Sequence, residues 1–220
     1  MRLFFVCAFA LMSVPLAAQD ASKRDAHEMH ALHRDSKAYI AMLEDPKRDA
    51  YQKPLEVITA LDLKPGEVIA DIGAGSGYFS FRFAHHVGPG RVYAVDISPD
   101  MILHMNRRIR DMQITNITTV LAPPDDPLLG DGSLDRVFIC DVWHHIEKQG
   151  EYLAKLKKML KPGGQLVMID FQKRELPVGP PLEMKIARED LVRRLEQAGF
   201  QLLKEHVFLP YQYFLVFSVK

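Results

Sequence analysis

Two hydrophobic rhythms alternate along the chain. Short, nearly continuous apolar runs at 67–72, 91–98, 117–122, 133–143 and 163–171 read as strands. Between and after them, residues 78–86, 99–112, 147–160 and 188–198 place apolar positions at helical spacing among charges. Continuous apolar strands separated by helices predict an α/β fold with a largely parallel sheet covered on both faces. The end, "FQLLKEHVFLPYQYFLVFSVK", contains two strands joined at Leu209-Pro210 with no helix between them. That pair should be an antiparallel hairpin at one edge of the sheet. Upstream, Tyr39, Ile40, Met42 and Leu43 form an apolar helical stripe that Asp45-Pro46 interrupts. A further helix opens with Pro54 in its first turn and stops at Lys64-Pro65-Gly66.

The first residues, "MRLFFVCAFALMSVPLAAQD", break from this pattern: one arginine, an uncharged apolar run, then Ala17 and Ala18. This is the layout of a cleaved secretory signal peptide over residues 1–18, so export to the periplasm is expected. An uncleaved membrane anchor and a buried N-terminal helix are the alternatives, the run being at the short limit for a span. After processing no stable membrane span is expected. Cleavage removes Cys7 and leaves Cys140 as the sole thiol, so neither a disulfide framework nor a cysteine zinc site can form. Residues 19–50 begin as a polar, histidine-rich arm and are assigned as an N-terminal arm or lid before a single domain at 51–220. His27, His30 and His33 have a spacing that suits one helical face, but a solvated arm explains them more simply than a metal site. The 28 basic and 28 acidic residues cancel, which argues against a nucleic-acid partner.

The candidate chemistry begins at "ADIGAGSGYFS". Gly73, Gly75 and Gly77 form a strand-to-helix turn that lets a ligand approach the backbone. Their spacing differs from the G-x-G-x-x-G of dinucleotide folds, and Asp71 suits a ligand ammonium better than a pyrophosphate. The next strand, "VYAVDIS", ends in Asp96, placed to accept both ribose hydroxyls of an adenosine; capping the helix that starts at Pro99 is the other role open to Asp96 or Ser98.

"VIADIGAGSGYFS", "VYAVDIS", "LDRVFICDVWHHI" and "LKPGGQLVMIDF", in this order, resemble the motifs of class I S-adenosylmethionine-dependent methyltransferases. The resemblance covers residues 51–220 and looks closest to the ubiquinone-biosynthesis and arsenite methyltransferase branch. It implies a Rossmann-like, doubly wound, seven-stranded sheet with an antiparallel last strand. It also implies S-adenosyl-L-methionine as cofactor, with the Gly73–Gly77 backbone near methionine and ribose and Asp96 on the ribose. Many small-molecule members of this family carry Gly-Asp-Ala after the third strand. This chain has "LAPPDDPLL", where Asp125 or Asp126 either replaces the adenine contact or is a solvated loop carboxylate. The cysteines expected for arsenite chemistry are missing after processing.

Methyl transfer to an alcohol or carbon acid also needs a base. His144 or His145, in "CDVWHHI", is the candidate, with Asp141 to orient it. Packing or capping is the competing role for either histidine. Magnesium between Asp141 and Asp170 is disfavoured because "IDF" lacks the asparagine expected after the aspartate. Tyr39, Tyr51 and Gln52 are lid candidates, and Lys173, Arg174, Glu183 and Lys185 stand where a pocket mouth would be. The expected activity is methyl transfer to a small molecule. An exported adenosyl-ligand-binding protein without catalysis is the alternative, because S-adenosylmethionine is made in the cytoplasm.

Overall fold

The computed structural model describes residues 35–220; the signal-peptide assignment at 1–18 and His27, His30 and His33 lie outside the described residues. The N-terminal segment contains α1 (Ser36–Leu43), a 3-10 turn (Pro46–Arg48), the short α2 (Asp49–Gln52) and α3 (Pro54–Leu61). The alternating part follows: β1 (Val68–Ile72), α4 (Ser80–Val87), β2 (Arg91–Asp96), α5 (Pro99–Asp111), β3 (Ile117–Leu121) and β4 (Leu134–Cys140). After a 3-10 turn (Trp143–His145) come α6 (Gln149–Met159), β5 (Leu160–Phe171), α7 (Arg188–Gln197), β6 (Phe200–His206) and β7 (Gln212–Val219).

The seven strands form one sheet in the order β3-β2-β1-β4-β5-β7-β6. The first five pair in parallel, and β7 is antiparallel to both β5 and β6. The predicted closing hairpin is therefore present at the edge, with the later strand inside and β6 outermost. Side chains alternate between two cores, as a period of two requires. Val137 and Ile139 of β4 and Leu215 and Phe217 of β7 meet Leu153, Leu156, Leu191 and Leu195 of α6 and α7 on one face. Phe138, Phe214 and Val216 meet Val57, Ile58, Phe79 and Phe83 on the other. Both faces are covered, which is why the strands read as unbroken apolar runs.

Two strand boundaries differ from the sequence reading by three residues. β4 stops at Cys140 because Asp141 turns into the left-handed region, with φ 58°. β5 begins at Leu160, before the glycines; Leu160 pairs with Leu134, and the ladder resumes after a register shift at Arg136 and Gln165. Among the described residues no helix is long and apolar enough to cross a membrane. The strand order reverses between β1 and β4, and the crevice at their carboxyl ends is where open α/β sheets bind ligands.

Candidate active site

One side of the crevice is built from the ends of β1 and β2. Gly73 has φ 70°, and a Cβ there would sit 2.3 Å from Cγ2 of Val142, so only glycine fits. The Gly73 and Ala74 amides donate to the Val95 carbonyl at 2.8 and 3.0 Å, which ties the loop to β2. Asp96 is nearly buried. Its Oδ2 accepts from the Gly75 amide and its Oδ1 from the Ser98 amide, both at 2.8 Å. Burial pushes its pKa up, and these amides partly offset that. Ser98, rather than Asp96, caps α5, its Oγ accepting from Met101 N. Asp96 takes no part in that cap. Beside it, Ile97 is 65% exposed, an apolar surface next to an acid that sequence reasoning passed over.

Asp71 lies behind the loop, 3% exposed, accepting from Ser80 Oγ at 2.6 Å. Burial raises its pKa to about 7. Its position is that of an internal strut between β1 and α4.

The other side gathers residues from remote parts of the chain. Cys140 pairs with Ile169 across β4 and β5, so the next residues, Asp141 and Asp170, stand side by side. His144 Nδ1 lies 3.0 and 3.1 Å from the two oxygens of Asp170, with both side chains almost wholly buried. Burial disfavours the imidazolium, but the hydrogen bond and charge of Asp170 outweigh it, so the pKa of His144 is raised. Asp170, not Asp141, thus orients His144, a correction to the sequence reading. A carboxylate can only accept, so Nδ1 carries the proton and Nε2 is left as the basic nitrogen. His145 is exposed; its ring is 4.2 Å from that of His144.

Asp141 accepts from Gln212 Nε2 through both oxygens, at 2.7 and 2.8 Å. Gln212 Nε2 also reaches Gln52 Oε1 at 3.2 Å, and Gln52 Nε2 contacts Cys140 Sγ at 3.0 Å. Both glutamines are buried, and they link the N-terminal segment to β4 and β7. Burial first, then the charge of Asp170, raises the pKa of Asp141 to about 7. Burial, then Asp141, lifts the Cys140 thiol well above its ordinary value, so it is no nucleophile here. Tyr51 stacks obliquely near Phe171 and Tyr211, with ring centres 6.2 and 6.1 Å away, giving this side an aromatic wall.

The remaining candidates fall elsewhere. Asp126 Oδ2 binds Lys155 Nζ at 2.9 Å, and its Oδ1 accepts from the Leu128 amide. Asp125 is exposed, and its carbonyl accepts from Lys155. Lys185 Nζ donates to the Arg174 carbonyl, and Arg174 to Gln172 and the Pro210 carbonyl, so both brace their loop. Among the described residues no cluster of three or more metal-ligating side chains occurs.

Comparisons with known proteins agree with this geometry. The sequence profile of a family described as "Methyltransferase domain" matches residues 63–203. The chain is 29% identical over 118 residues to the ubiquinone/menaquinone biosynthesis C-methyltransferase UbiE of Hydrogenovibrio crunogenus, covering 53% of this chain and 46% of the relative. It is 30% identical over 161 residues to an uncharacterized 37.1 kDa protein in a transposon of Streptomyces fradiae, covering 69% of this chain and 46% of the relative. It thus spans less than half the length of either. The crystal structure of a SAM-dependent methyltransferase from Aquifex aeolicus superposes with a TM-score of 0.79 at 26% identity, over 83% of this chain and 98% of that one.

Proposed function

The chain belongs to this methyltransferase-domain family, and we propose that it transfers a methyl group from S-adenosylmethionine to a small-molecule acceptor. The observation that carries this reading is Asp96, held by the Gly75 and Ser98 amides beside a loop in which Gly73 has no room for a Cβ. The loop leaves its backbone open to a close ligand, and the carboxylate suits a ribose diol. Ile97 offers an apolar face for the adenine. When bound, S-adenosylmethionine supplies a methyl group activated by the sulfonium charge.

The chain's own residues align the acceptor and handle its proton. His144 Nε2 accepts the proton that the nucleophilic atom loses, and Asp170 keeps the proton on Nδ1 and stabilises the imidazolium. Tyr51, Phe171 and Tyr211 give an aromatic wall on the acceptor side. The test is calorimetry with S-adenosylhomocysteine. Micromolar binding that Asp96→Ala abolishes supports the reading; no binding by folded protein sinks it.

The leader at residues 1–18 supports export as part of the same proposal. Cell fractionation with N-terminal sequencing should find a periplasmic chain starting near Gln19. Full-length chain in the cytosol would overturn this part. An exported chain that binds S-adenosylhomocysteine but methylates nothing in a labelled-methyl screen would instead be a binding protein.

A further inference from the structure

We propose that Arg48 is the anchor for the carboxylate of the cofactor, so that binding fastens the N-terminal segment over the glycine loop. The inference rests on the reading that the cofactor is S-adenosylmethionine. Arg48 closes the 3-10 turn after α1. Its Nη1 donates to the Leu43 carbonyl at 2.8 Å. Leu43 Cδ1 in turn lies 2.9 Å from the point where a Gly75 Cβ would be. The Arg48 guanidinium sits 4.3 Å from the ring centre of Tyr78, the residue after Gly77, and the Tyr78 hydroxyl donates to Asp49. On its other flank are Tyr51, Cys140 and Asp141. Arg48 therefore stands between the glycine loop and the end of β4, where the crevice opens.

The charges around it are unevenly shared. Among the described residues Arg48 makes no ion pair within 4.0 Å. The other two arginines beside the loop already have carboxylates: Arg82 faces Asp49 at 3.8 Å, and Arg108 holds Glu44 at 2.6 Å. Both of those line a cavity of about 340 Å³ together with Ser76, Gly77 and Tyr78, and Arg48 is not among its lining residues. Asp141, whose charge acts on Arg48, is occupied by Gln212, and the side-chain partner of Arg48 here is the neutral Tyr51 hydroxyl. A partly buried guanidinium without a carboxylate is costly, and its fork of donors matches a carboxylate in two places. S-adenosylmethionine carries a sulfonium, an ammonium and one carboxylate. Of the acids near the crevice, Asp71, Asp141 and Asp170 are engaged by Ser80, Gln212 and His144, which leaves Asp96 for the ligand's hydroxyl groups. For the carboxylate the crevice offers Arg48. An oxyanion on the acceptor would use the same chemistry, so the test separates the two sources.

Calorimetry with S-adenosylhomocysteine, its decarboxylated analogue and methylthioadenosine reads the contact without turnover. The protein should bind S-adenosylhomocysteine about tenfold or more tightly than the decarboxylated analogue. Arg48→Gln should erase that preference while leaving affinity for the analogue and for methylthioadenosine within about twofold. Arg48→Lys, which keeps the charge and loses the fork, should retain part of it, and it serves if the glutamine variant does not fold. S-adenosylhomocysteine should also slow hydrogen exchange across residues 36–52, and the decarboxylated analogue should not. Equal affinity of the unaltered protein for both ligands overturns the proposal. A preference that survives in folded Arg48→Gln also overturns it and moves Arg48 to the acceptor. Binding of none of the three ligands rejects the cofactor reading itself.

Discussion

The two sides of the crevice are built on different principles. The cofactor side takes its shape from backbone amides: Gly73, Ala74, Gly75 and Ser98 all hydrogen-bond through their main chains. Its residues lie on two neighbouring strand ends, and β1–β2 pairing fixes their positions. The acceptor side is a web of side chains from five places: Gln52, Asp141, His144, Asp170 and Gln212. Backbone geometry tolerates exchange of most side chains. A buried polar web in low dielectric is costly wherever a member is left unsatisfied, as Gln212 Oε1 is among the described residues. The first side should therefore resist mutation except at its glycines and Asp96, and the second should fail member by member.

The sharpest break in that comparison is His144→Ala. It should lower kcat by about 10² to 10⁴ and leave S-adenosylhomocysteine affinity within twofold, as initial rates and calorimetry would show. The partner variant Asp170→Asn tests the same base through its titration. Because Asp170 raises the His144 pKa, and the base must be neutral to act, activity should rise with pH through that raised value. Removing the Asp170 charge should move this acid limb to lower pH. An unmoved limb would detach His144 from the rate.

On the cofactor side, Asp96→Ala should weaken S-adenosylhomocysteine binding by about 100-fold and leave the fold intact by circular dichroism. Gln212→Leu asks whether the acceptor web also holds the protein together. Asp141 has a folded pKa near 7, above its ordinary 3.8, so its protonated form is favoured by folding. Its contribution is full below about pH 4, is lost as pH rises through about 7, and is flat above. Removing the amide that supports the charged form should cost about 1–3 kcal/mol at pH 8 and clearly less at pH 5, by urea unfolding. Equal losses at both pH values would contradict this. The smallest effect belongs to Asp126→Ala. It should cost about 0.5 kcal/mol through the exposed Lys155 pair and leave cofactor affinity within twofold. A tenfold loss of affinity would restore Asp126 to the adenine site.

What the sequence disclosed follows the same division. The strands, the glycine turn and Asp96 were legible because their meaning is local: apolar runs, positive-φ positions and a carboxylate at a strand end. The orientation of His144 was not. Asp141 is near it in sequence, but Asp170 reaches it because β4 and β5 pair with Cys140 opposite Ile169, and register between strands leaves no local trace. Gln212 was missed for a similar reason, since it joins the site through its place opposite Phe171. Gln52 was visible only as a member of a segment able to cover the crevice. Arg48, in a charged stretch, looked like any surface arginine. Arg82 shares its place over Tyr78; what separates Arg48 from Arg82 and Arg108 is that no carboxylate pairs with it within 4.0 Å among the described residues.

The inverted order of β6 and β7 has a consequence for assembly in time. β6 precedes β7 in the chain but can join the sheet only through it. As the chain emerges from the ribosome, β1 to β5 can pair before the last strand arrives. At that moment the turns at Gly73 and Asp96 exist, while Asp141 still lacks its glutamine. One side of the crevice would be built before the other, and arrival of Gln212 would be the event that completes it.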